Sequence, residues 1–135
     1  SLPFAKEQSL EYFRHAANLG STEAQFLFGQ EKLEMGKFWQ EFSESAYGKP
    51  IHQVYAKSHF DEAYEYLNEA KKANYSKAFQ TLGLAFIHGW GTAIEKEKGF
   101  QLIVESIDLE NAWDKAPELF KKLGLNNPEF FSTMM

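Results

Sequence analysis

Residues 63–99 read AYEYLNEAKKANYSKAFQTLGLAFIHGWGTAIEKEKG. Ala63, Tyr66, Leu67 and Ala70 fall at i, i+3, i+4 and i+7, on one face of a helix. Ala78, Phe79, Leu82, Gly83 and Phe86 form a second such face. A polar corner separates the two, and a glycine-punctuated loop follows them. The pattern predicts an α-hairpin whose helices touch through alanine and glycine. One hairpin has a wet face and cannot bury its apolar stripe alone, so it needs neighbours of its own kind.

The chain supplies them. A shift of 54 positions lays Tyr12 on Tyr66, Phe13 on Leu67, Ala16 on Ala70, Ala24 on Ala78 and Gly29 on Gly83. The same shift lays Gly20 on Asn74. Both residues suit a position after a helix where φ is positive. A third copy begins 36 positions on, where Gly99 matches Ala63. Phe100, Ile103, Val104 and Ile107 give its first face, and Ala116, Leu119 and Phe120 its second.

Ala63, Tyr66, Leu67, Ala70 and Asn74, then Ala78, Leu82 and Gly83, then Gly89, Gly91, Glu95 and Gly99, follow a known pattern. It resembles the Sel1-like repeats, relatives of the tetratricopeptide repeat: A-x-x-W/Y-Y/L-x-x-A-A-x-x-G, A-x-x-x-L-G and G-x-G-V-x-x-D-x-x-x-A. Thr92, Glu95 and Gly99 depart from it. The likeness runs from Ser9 to Gly124. It implies an all-α, right-handed α-α superhelix of about three helix-turn-helix repeats. Repeat one covers about 5–45, an irregular insertion 46–58, repeat two about 59–94, repeat three about 95–124 and a tail 125–135. It implies a non-catalytic adaptor that binds a protein or peptide, at bacterial envelopes or in host contact. Similar repeat proteins also serve as immunity proteins that neutralise a secreted toxin.

Composition bounds the rest. The 135 residues suit one domain with a real core. No apolar run reaches the length of a membrane span. Cysteine is absent, which removes disulfides and thiolate chemistry. A net charge of −5 argues against nonspecific binding to nucleic acid or anionic membranes. The chain opens on Ser1 rather than Met, so either a boundary cut from a longer sequence or a removed leader is expected, with a bacterial periplasm or cytoplasm as the compartment.

In chain order, Pro3 suits a first turn, and helix one is expected to end near Leu19 with Leu10, Phe13 and Ala17 inward. Ser21 or Thr22 is the expected cap of helix two. The apolar face of that helix continues past Gly36 through Phe38 and Phe42, so a long or broken helix to about Ser45 is expected. Gly48 and Pro50 forbid continuing it. The insertion AYGKPIHQVYAKS belongs to the 18 residues that separate the two spacings. Its rings, with Trp39, either seal the first unit or meet a partner, which makes Tyr47 and Tyr55 candidates. Ser58 is read as the cap of the next helix, and Asp114 as that of the last, with Pro117 in its first turns. Trp90 either docks on the next helix, the favoured reading, or stands exposed as a contact. Gly124 stops the last helix, and the apolar tail is expected to fold back over it.

Four histidines, His15, His52, His59 and His88, lack metal-binding spacing, and no metal or other cofactor is expected. Ser58, His59 and Asp61 point in different directions on a helix, so they form no relay. The carboxylate neighbours Glu31/Glu34, Glu41/Glu44 and Asp61/Glu62 read as solvated faces. Lys71-Lys72 and Lys121-Lys122 complement helix C-termini. In a solenoid the first helix of each pair lines the concave side. Its outward residues are the predicted partner surface: Arg14 and Asn18, with Glu11 and His15; Glu65, Asn68 and Lys72, with Glu69; Gln101 and Glu105, with Asp108. A rival reading is a hydrolase using His59 or His88 with a distant carboxylate. A third is one structural block of a longer array.

Overall fold

The computed structural model describes residues 2–126, with side chains from residue 7 onward. Six α-helices follow in order: α1 (Leu2–Asn18), α2 (Thr22–Ser43), α3 (Pro50–Lys72), α4 (Ser76–His88), α5 (Lys96–Glu110) and α6 (Ala116–Lys122), the last preceded by a 3₁₀ turn at Trp113–Lys115. There is no strand among the described residues. The expected all-α fold is present. The apolar tail lies outside the described residues.

The corners form as their residues dictate. Gly20 and Asn74 both take positive φ, +100° and +60°, and the chain closes back on Ala16 and Ala70 through the amides of Ser21 and Tyr75. Asn111 does the same after α5, with φ of +50° and the Ala112 amide closing on Ile107. Ser21 is the cap of α2, its hydroxyl accepting the Ala24 N–H at 3.2 Å. α2 is long and unbroken to Ser43.

Three expectations are corrected. Residues 46–58 are not an irregular insertion, because Pro50 opens α3 and only the turn before it is non-helical. Proline lacks the N–H that a first helical turn leaves unused, so the residue read as a breaker is a starter. The amide of Lys49 is taken by His52 Nδ1 at 3.0 Å. Ser58 therefore lies within α3 and caps nothing, and α3 crosses the boundary drawn at 58/59. Asp114 does not cap α6 either, since it sits in the 3₁₀ turn and Lys115 is the residue before the helix.

Packing joins helices adjacent in sequence. The most extensive contacts are α2 on α3 and α4 on α5, and α3 meets its hairpin partner α4 more lightly. The glycines explain this. A Cβ on Gly29 would lie 2.8 Å from Leu67 Cγ, and one on Gly83 would lie 2.7 Å from the Gly99 carbonyl oxygen. The predicted alanine-glycine contact thus joins each second helix to the following first helix, rather than the two arms of one hairpin. Two clusters result. Phe26, Leu33, Phe60, Ala63, Leu67, Ala70 and Ala78 build one, and Ile87, Phe100, Ile103, Ile107 and Phe120 the other.

Trp90 docks, but against α2, α3 and the end of α4 rather than on the next helix. It packs against the first cluster, its ring is stacked on His88 at 4.8 Å, and Lys37 Nζ stands 3.8 Å from its centroid. Its carbonyl accepts the Tyr64 hydroxyl at 2.5 Å. Burial pushes the Tyr64 phenol up to about 12. A raised phenol favours the protonated form, so its contribution to stability is whole below the ordinary value of 10 and is lost as pH rises through about 12. Tyr64→Phe should abolish a phenolate absorbance step at about 12 and cost about 1 kcal/mol in stability, because the carbonyl loses its donor. An unchanged alkaline titration would refute the assignment.

Candidate functional site

The outward face of α3 is divided along its length. Residues 50–57 contain no acid, and residues 58–69 contain Asp61, Glu62, Glu65 and Glu69 but no lysine or arginine. In the first half, Ile51, Val54 and Tyr55 share one face at i, i+3 and i+4, and all three are exposed, Val54 by 59%. Tyr47, in the turn before them, is 79% exposed. Single exposed apolar residues are common, but three on one helical face beside a tyrosine are a patch.

Aromatic packing from below fixes the patch. The Trp39 ring stacks on His52 at 5.5 Å and meets Tyr55 edge-on at 5.1 Å. Phe42 meets His52 edge-on at 4.7 Å. Tyr55 is therefore held on one side and presented on the other. Trp39 and Phe42 seal the α2–α3 corner, as one reading of the insertion aromatics expected, while Tyr47, Ile51 and Val54 are exposed.

The acidic half continues the same face. Asp61 is paired with Lys57 at 2.7 Å, and Glu69 with Lys72 at 3.2 Å. These pairs are exposed and weak. Glu65 carries no ion pair among the described residues. Glu62 differs, since its carboxylate lies 3.6 Å from both Arg14 of α1 and Lys32 of α2. Lys32 is almost buried, and its ammonium and the Arg14 guanidinium both lie over the Phe28 ring. His59 completes this polar cluster, with Nδ1 out of contact with solvent and lacking a hydrogen-bond partner. Burial first, then Lys32, lowers the His59 pKa, with Glu62 opposing.

The predicted contact residues are distributed unevenly. Arg14 and Asn18 are engaged within the chain, Arg14 with Glu62 and Glu11, and Asn18 as acceptor of the Tyr66 hydroxyl at 2.9 Å. Glu65, Asn68 and Lys72 are exposed on α3, where Asn68 and Lys72 border a shallow depression beside Phe79. Gln101 is exposed and Glu105 half-buried on α5. Trp90 belongs to the docked loop. Val54 was missed, although its spacing from Ile51 was visible once Pro50 is read as a first helical residue. The cluster of Lys32, His59 and Glu62 was also missed, because it joins separate helices and leaves no local pattern.

A groove of about 410 Å³ runs along the adjoining flank, over Ala56 and Phe60 and between Gln40, Gln53, Lys57 and Asp61, with Gly91 at its end. Neither His59 nor His88 lines it. The His88 pKa is lowered by burial, then by Lys37 and Lys96. Among the described residues, no group of three or more histidines and carboxylates is placed to hold a metal ion, and no helix is long and apolar enough to cross a membrane. Comparison with protein-family models, with curated proteins and with solved structures gave no match.

Proposed function

We propose that the chain is a Sel1-like, tetratricopeptide-type repeat module, a right-handed solenoid of stacked helix pairs that holds a protein or peptide segment without catalysing a reaction. The repeated faces and the helix-stopping Gly20 and Asn74 support the repeat reading. The observation that carries the binding reading is the uncovered patch of Tyr47, Ile51, Val54 and Tyr55 at one end of α3, continuous with Glu65 and Asn68 at the other. Fully burying an exposed apolar side chain contributes about 1.5–3 kcal/mol, and Ile51, Val54 and Tyr55 have roughly half of that still to gain. Three or four such side chains in one patch are a usable contact centre, with the polar half of the helix as its rim. Toxin neutralisation is one form this binding can take, and the same face would be its contact.

Affinity capture from the source cell tests the reading, with Val54→Asp and Asn68→Arg as variants at the two ends of the face. Both positions are exposed, so the melting temperature should hold within the range of ordinary surface changes. The expected result is loss of one and the same partner by both variants. Retention of every captured protein by both variants, or capture of none above background, would sink the proposal.

A further inference from the structure

We infer that the partner segment is an amphipathic helix whose docking face is apolar at one end and basic at the other, laid along α3 from Ile51 to Glu69. This rests on the binding reading above and adds the chemistry of the occupant. The ground is the segregation along α3: Ile51, Val54 and Tyr55 in the first turns, then Glu65, which carries no ion pair among the described residues, and Glu69 on the same face, with no lysine or arginine between 58 and 69. At 1.5 Å per residue this face is about 27 Å long, a match for about five turns of a second helix. A helix lying in contact over that length sets its own side chains at i, i+3, i+4 and i+7 against it.

Charge decides what the far half of that helix carries. A carboxylate-bearing partner would meet Glu65 and Glu69 with like charge, which costs several kcal/mol when water is excluded. Lysine or arginine there gains attraction and displaces little, since the Lys57 and Lys72 pairs are exposed and easily exchanged. The chain's charge of −5 steers a basic segment toward this surface and repels an anionic membrane. At the other end, Tyr55 is already held by Trp39, so an apolar contact there orders few new side chains.

The test is selection of helical peptides from a randomised display library on the intact chain, followed by binding measurements by fluorescence anisotropy. Enriched peptides should carry apolar residues at helical spacing in one half and lysine or arginine in the other. Val54→Asp should abolish their binding. Glu65→Lys should weaken it about tenfold, and added salt should weaken it in the wild type but less in Glu65→Lys. Peptides that need Val54 yet ignore Glu65 and salt would overturn the basic-end assignment and leave the binding reading standing. Peptides that ignore both positions would overturn both. Self-association of the chain that Val54→Asp removes would name a second copy as the occupant, and would also overturn the assignment.

Discussion

Phe60→Ala should lower the stability of the chain by about 3–5 kcal/mol, the usual cost of emptying a core position of this size. Phe60 is 4% exposed and joins three parts of the fold. It projects from α3 onto Gly36 of α2 and under Gly91 of the loop after α4. A Cβ at either glycine would stand 2.5 Å from a ring carbon. The ring thus fills a notch that only glycine leaves open. A double-mutant cycle isolates this. Gly36→Ala alone should destabilise by about 1–3 kcal/mol, because the methyl cannot be seated beside the ring. In the Phe60→Ala background the same change should stabilise by about 0.5–1 kcal/mol, since alanine is the better helix former and the space is vacant. Denaturant midpoints of the four proteins give the coupling. An equal cost of Gly36→Ala in both backgrounds would show that the notch is not what fixes Gly36.

The notch also shows where sequence reading stops. The helix faces were legible because burial imposes a helical period, and Ala63, Leu67, Ala70, Ala78, Leu82 and Ile103 are all buried as the period predicts. The corners were legible because Gly20 and Asn74 have a local conformational reason to be there. Pro50 was misread because one property, the missing N–H, breaks a helix in its interior and starts one at its first turn. Only the continuation of the apolar spacing through Ile51, Val54 and Tyr55 decides between the two. The ties from Arg14 to Glu62, from Asn18 to Tyr66 and from Phe60 to Gly91 join distant stretches. No local spacing encodes such ties, so the engagement of Arg14 with Glu62 and of Asn18 with Tyr66 could not be read from the sequence.

Gly83→Ala should lower stability although it replaces glycine by alanine in the middle of a helix. Intrinsic propensity alone would make the change favourable by about 0.8–1 kcal/mol. The Cβ, however, would stand 2.7 Å from the Gly99 carbonyl oxygen and 2.8 Å from Ile103 Cγ1. The isoleucine can turn, but a backbone oxygen within α5 cannot turn away, so α4 and α5 must part. That separation opens the cluster of Ile87, Phe100, Ile103 and Ile107. Overpacking of this kind costs about 1–3 kcal/mol, so the net loss should reach up to about 2 kcal/mol. Its location is the sharper part of the expectation. Amides of α5 and α6 should exchange faster in Gly83→Ala while those of α2 and α3 keep their protection. Gly29→Ala, whose Cβ meets Leu67, should show the opposite map. A Gly83→Ala protein more stable than wild type would mean that α4 and α5 do not approach through these glycines, and with that the close packing of α4 on α5 would lose its physical basis.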